Sequence, residues 1–97
     1  MRTVDIIEAL NNVFEFNRHK GHFVSKMTIE TNSISKAHKL YKIEVWYVNN
    51  GIKDLVFTIQ ESARVVDGNE DAILKTLNTR LLEYMLSNID SLMRYGI

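Results

Sequence analysis

The chain has 97 residues, 45% of them hydrophobic and 25% charged, with 12 Lys/Arg balanced by 12 Asp/Glu; these are the proportions and the length of one ordinary globular domain. It has no cysteine, which excludes disulfides, thiolate zinc sites, iron–sulfur clusters and cysteine nucleophiles together. No stretch approaches the ~20 apolar residues needed to cross a bilayer, and MRTVDIIEALNNV at the start lacks a signal-peptide apolar run, so the expectation is a single cytoplasmic domain, residues 1–97, with no membrane association.

Five elements follow in chain order. Thr3 is placed as the N-cap of a first helix, with Asp5 near the positive end of its dipole. Ile6, Leu10, Val13 and Phe14 then recur at helical spacing, widened by Ile7. Arg18, His19 and Lys20 suit a helix C-terminus, and Gly21 is the expected stop. From Phe23 the period becomes two: Phe23, Ser25, Met27 and Ile29 face one way, Val24, Lys26, Thr28 and Glu30 the other. Residues 31–38 form a polar connection to a second strand in which Tyr41, Ile43, Val45 and Tyr47 share a face, with Leu40, Trp46 and Val48 opposite.

The strongest local signal is Asn49-Asn50-Gly51. Asn-Gly supplies the positive φ angles that a tight hairpin needs, and aromatic and β-branched residues flank it on both sides. The third strand is expected to set Leu55, Phe57 and Ile59 on one face and Val56, Thr58 and Gln60 on the other. Asp67-Gly68-Asn69 turns the chain into a last helix with Glu70 and Asp71 in its first turn. The fold class is therefore α+β, in the order α-β-β-β-α: a three-stranded antiparallel meander with two helices packed on one face.

The last helix carries more apolar residues than one core-facing stripe requires. Uninterrupted from Glu70 to Met93 it would run ~36 Å at 1.5 Å per residue, longer than the ~27 Å of an eight-residue strand. Either the first helix packs alongside it, or it breaks near Ser87-Asn88 with Asn88 capping a short third helix, or part of it is an interface. On the interface reading Leu82, Met85, Leu86, Ile89 and Met93 are the surplus. Trp46 is a second candidate, because both faces of the hairpin are more apolar than a half-solvated sheet needs.

Charge is asymmetric. Residues 17–42 hold Arg18, Lys20, Lys26, Lys36, Lys39 and Lys42 against Glu30 alone, a net of +5, so the remainder sums to −5. One surface gathering these cations could meet phosphate; otherwise they are solvated charges that guard a sheet edge or meet the acidic end of a second subunit. The element order is shared with the double-stranded RNA-binding domain, but that family's motifs are absent. The last helix opens Gly68-Asn69-Glu70-Asp71 where a lysine cluster belongs, and the connection with Lys36 and His38 has no Gly-Pro-His.

Catalytic constellations are thin. Glu15, His19 and His22 have the spacing of metal ligands, but His22 lies beyond Gly21 and no further carboxylate is in place, so no metal or cofactor is expected. Ser33, Ser35 and Ser62 lack a nucleophile elbow and a paired base, and no phosphate-cradling glycine motif occurs. Glu70-Asp71 is explained by the helix dipole. The expected function is a small non-enzymatic protein-interaction module, accessory or regulatory. It would be a homodimer burying part of the last helix or the Trp46 face, with Trp46, Leu82, Leu86, Ile89 and Met93 as the residues offered to a protein partner. The alternative is nucleic-acid binding through the segment Arg18–Lys42. A proline-free chain rich in isoleucine and asparagine fits AT-rich coding and a phage or mobile-element origin.

Overall fold

The computed structural model describes residues 2–15, 21–66 and 68–96. The elements run α1 (Thr3–Glu15), β1 (His22–Thr31), β2 (His38–Asn49), β3 (Ile52–Arg64), α2 (Glu70–Ser87) and α3 (Ile89–Met93), followed by a 3₁₀ turn at Arg94–Gly96. The strands form one antiparallel sheet in the order β1-β2-β3, which is the meander expected from the alternation of apolar residues.

The hairpin forms where Asn50-Gly51 places it. Asn49 pairs with Ile52, and Asn50 and Gly51 take φ of 53° and 80°, the two positive angles of a two-residue type I′ turn. Nothing lies within 4 Å of a Cβ added at Gly51, so the demand for glycine there is purely conformational. Gly51→Val is expected to lower stability by about 1–2 kcal/mol through backbone strain, read as a shift in denaturation midpoint at constant slope. An unchanged midpoint would sink this account of the turn.

Tyr41, Ile43, Val45 and Tyr47 of β2 are buried along one face and join Ile6, Ile7 and Leu10 of α1 and Leu77, Leu81 and Met85 of α2 in a single core. Both helices therefore cover the same side of the sheet. Arg80 pins α2 to β3, its guanidinium donating to the Gln60 carbonyl and the Glu61 carboxylate at 2.5 Å each. Thr3 of α1 donates its hydroxyl hydrogen to Asn78 of α2, tying the helices to each other.

Several local expectations shift. The helix begins one residue earlier than a Thr3 cap implies: the Arg2 carbonyl accepts the N–H groups of Asp5 and Ile6, so Arg2 holds the cap position. Asp5 reaches back to the Arg2 backbone N–H and guanidinium, half of a capping box. The hydrogen bond from that guanidinium holds the Asp5 carboxyl below its ordinary range. Arg18, His19 and Lys20 lie outside the described residues, as does Asp67. Gly21 has a further reason to be glycine, since a Cβ there would overlap the ring and hydroxyl of Tyr47.

A β-bulge corrects the third strand. Val45 pairs with Phe57 but Trp46 pairs with Leu55, with a register shift between them. The extra residue, Val56, packs against the core, and Leu55, expected inside beside Phe57, lies 48% exposed. One inserted residue resets the two-residue period, so everything before it changes face.

The long last helix does break, at Asn88. Asn88 takes φ −121° and ψ 24°, and its N–H reaches the Met85 and Tyr84 carbonyls. Its side chain also donates to the Tyr84 carbonyl at 2.9 Å and does not cap α3; it closes the helix behind it. The turn sends α3 back over the sheet, burying Leu92 and bringing Tyr95 against Phe23 and Tyr47, with ring centroids 5.8 and 4.9 Å away. The Tyr47 hydroxyl donates to the Tyr95 carbonyl at 3.2 Å.

Tyr41 is fully buried, and its hydroxyl meets no hydrogen-bond partner among the described residues. Burial, with Glu70 adding to it, raises its ionisation above the ordinary tyrosine range, and burial raises that of Tyr47 too. An unfolded tyrosine ionises near pH ~10 while the folded one keeps its proton. The stability linked to these tyrosines is thus fully present below pH ~10 and falls as the pH rises through the folded values. Tyr41→Phe removes a buried polar atom without opening a cavity. It should leave neutral-pH stability equal or higher and blunt the alkaline loss, as measured by chemical denaturation from pH 7 to 11. A variant less stable at pH 7 would show that the hydroxyl is satisfied.

Candidate interaction surfaces

The buried stripe of α2 is Leu77, Leu81 and Met85, at successive spacings of four. Leu82 and Leu86 lie one position on, about 100° around the helix, and Ile89 and Met93 belong to α3, beyond the break at Asn88. Their exposures are 39%, 66%, 36% and 36%. Four of the five surplus apolar residues are therefore exposed, two on α2 and two on α3. The structure takes Met85 out of that group, because at 6% exposure it is core. A helix of this apolar content has two sides to satisfy, and the sheet covers one.

Trp46 lies elsewhere. Alternation from the buried Val45 and Tyr47 places it on the sheet face opposite the helices, flanked across the strands by Val24 and, through the bulge, by Leu55. These three side chains make an apolar row across a face that no described helix covers. It is bordered by Lys26, Glu44 and Thr58 on one side and His22, Val48 and Lys53 on the other. Trp46 is half-buried among them. The bulge is what sequence reasoning missed here, since strict alternation assigns Leu55 to the other side.

The basic residues are not collected into one patch among those described. Lys26 and Lys42 share the outer sheet face, but Glu44 sits across from Lys26, and Glu30 borders the same face. Lys39 pairs with Thr31 and Ala63 on the opposite face, and Lys36 is exposed in the β1–β2 connection. Arg18 and Lys20 lie outside the described residues.

That connection is built on Asn32, whose side-chain oxygen accepts the N–H groups of Ile34 and Ser35, an Asx turn. It also brings Ser35 Oγ within 2.9 Å of His38 Nδ1, so Ser35 does have a base beside it, contrary to the sequence expectation. The pair is exposed and closes a turn, and no carboxylate hydrogen-bonds to His38 among the described residues. Nucleophile activation requires a base oriented by a third group. Among the described residues no cluster of three or more metal-ligating side chains occurs, and no helix among them is long and apolar enough to cross a membrane.

Asn11 carries a function that the sequence did not signal. Its side chain donates to the Phe23 carbonyl at 2.9 Å and accepts the Phe23 N–H at 2.6 Å, occupying the outer edge of β1 as a neighbouring strand would. Comparison with protein-family models, with curated proteins and with solved structures gave no significant match to this chain.

Proposed function

We propose that the protein is a small non-enzymatic interaction module, accessory or regulatory, that works in the cytoplasm by occupying a partner protein's surface and self-associates as a homodimer. The observation that carries this reading is the exposure of Leu82, Leu86, Ile89 and Met93. Leu82 and Leu86 lie as a flank beside the core-facing stripe of α2, and Ile89 and Met93 follow on α3; exposed apolar side chains of this kind are how a helix face docks into another protein's groove. The row Val24, Trp46 and Leu55 offers a second surface, with the tryptophan as an anchor. Interleaved acids at Glu44 and Glu30 favour a protein partner over nucleic acid, because alternating charges do not make a phosphate track. The composition fits a phage or mobile-element source.

The test is a comparison of wild-type and Leu86→Asp baits, with fold monitored by thermal denaturation. Leu86 is 66% exposed, so the substitution should change stability by no more than about 0.5 kcal/mol. It should also remove a saturable complex that the wild type retains. A partner bound equally by both baits would exclude the flank. Submicromolar, salt-sensitive binding of a labelled random oligonucleotide by fluorescence anisotropy, weakened by joint replacement of Lys36, Lys39 and Lys42 with glutamine, would favour nucleic acid instead.

A further inference from the structure

Strand β1 is an edge strand: β2 lies on one side of it and no described strand on the other. Asn11 marks which backbone groups face outward. Because it bonds both the N–H and the C=O of Phe23 from outside the sheet, Phe23 points its polar groups away from β2. By the alternation of antiparallel pairing, Ser25, Met27, Ile29 and Thr31 do the same. Asn11 closes the edge at Phe23, and β1 ends at Thr31. The open stretch runs from Ser25 to Thr31, and its midpoint is Thr28.

The side chains along this stretch are self-complementary about that midpoint. We infer that β1 pairs antiparallel with β1 of a second copy, with Thr28 on the twofold axis, joining two three-stranded sheets into one continuous sheet. In this register Lys26 lies opposite the partner's Glu30, and Glu30 opposite the partner's Lys26. Both are non-hydrogen-bonded pairs, where side chains approach most closely. Met27 lies opposite the partner's Ile29 on the helix-covered face, and Ser25 opposite the partner's Thr31. All the outward N–H and C=O groups between Asn11's clamp and the strand end find partners.

Neighbouring registers do less. Centring on Met27 sets Lys26 against Thr28 and drives Thr31 into Phe23, whose edge Asn11 already occupies. Centring on Ile29 sets Thr28 against Glu30 and leaves Ser25 unpaired. A shift of the pairing by one residue would put each apolar side chain opposite the wrong face.

The same register explains an oddity of burial. Met27 and Ile29 share the core face with Phe23 yet are 39% and 45% exposed. The reason is the extent of α1, which lies along the Phe23 half of the strand: Asn11 sits at Phe23, while Arg2 and Thr3 border the same shallow recess as Met27. Beyond Met27 no part of α1 covers the edge. In the paired arrangement each α1 lies on its own side of the axis, and the bare Ile29 receives the partner's Met27. Such a contact is isologous and closes at two copies.

This dimer is independent of the partner-binding residues on α2 and α3, and variants on one surface leave the other intact. The chain has no cysteine, so single cysteines report the register directly. Thr28→Cys places two thiols in a non-hydrogen-bonded pair with Cα atoms ~4.5 Å apart, inside the ~4.4–6.8 Å that a disulfide spans. In Lys26→Cys the equivalent atoms are about 13 Å apart, the separation of positions 26 and 30 along a strand. Under mild oxidation at high micromolar concentration, Thr28→Cys should form covalent dimer at least about tenfold faster than Lys26→Cys.

Reversed charges supply the second readout. Glu30→Lys, which lies across from Leu40 within the chain, should weaken the dimer about tenfold by sedimentation. Adding Lys26→Glu should restore it, because opposite charges again face each other across the axis. Equal cross-linking of the two cysteine variants, or a double variant no tighter than Glu30→Lys alone, would overturn the assignment.

Discussion

Gly21→Ala is expected to destabilise the domain by about 2–3 kcal/mol, a drop of roughly 10–20 °C in melting temperature for a chain of this size. The alanine Cβ would overlap the Tyr47 ring and hydroxyl. Tyr47 has little freedom to yield: it is 5% exposed, lies 5.2 Å from the Phe23 ring and 4.9 Å from that of Tyr95, and donates to the Tyr95 carbonyl. Relief requires moving a packed aromatic trio and giving up that hydrogen bond, so overpacking and a lost bond add. The mechanism predicts coupling: in a Tyr47→Ala background, itself destabilised, the same Gly21→Ala change should cost less than about 0.5 kcal/mol. Additive effects in a double-mutant cycle would show that Gly21 matters for another reason.

Adjacent leucines in α2 should respond in opposite ways. Leu81 is fully buried in the common core, whereas Leu82 is 39% exposed. Leu81→Ala removes buried methyl groups and leaves a cavity, for a loss of about 3 kcal/mol. Leu82→Ala should change stability by about 0.5 kcal/mol or less while reducing partner affinity if the flank is the contact. Urea denaturation of the two variants side by side is sufficient. Equal losses would mean that Leu82 is packed in the folded chain and that the exposed flank is not a free surface.

The order of elements, the hairpin and the break at Asn88 were legible because each has a local cause: period-two alternation, two positive φ angles at Asn50-Gly51, and an asparagine where a helix outruns its sheet. Leu55 was misassigned because a bulge is decided by pairing with β2, and nothing in LVFTIQ announces that Val56 is the extra residue. Met85 and Leu86 looked alike as surplus apolar residues, and only the rotation of α2 against β3 tells core from flank. Thr3 was chosen as a cap on composition alone, although the backbone of Arg2 does that work.

Leu82 and Leu86 share a side of α2 because helical spacing is local, whereas the break at Asn88 puts Ile89 and Met93 on a separate helix. Trp46 is separated from them because the sheet lies between. The edge at Ser25–Thr31 was invisible at first, since it depends on how far α1 reaches along β1 and on the Asn11 side chain arriving from a different element.

The return of the chain at Asn88 has a temporal consequence. Tyr95 packs against Phe23 and Tyr47, and Leu92 belongs to the same core, so residues far apart in the sequence share one cluster. During synthesis the helix and hairpin can assemble early, but the aromatic end of the sheet stays uncovered until residue 95 has been made. Through that interval Phe23 and Tyr47 are open to other chains, the condition under which nascent domains aggregate or recruit chaperones. Residues 92–95 therefore govern how long the growing chain is vulnerable, as well as how the aromatic end of the sheet is closed.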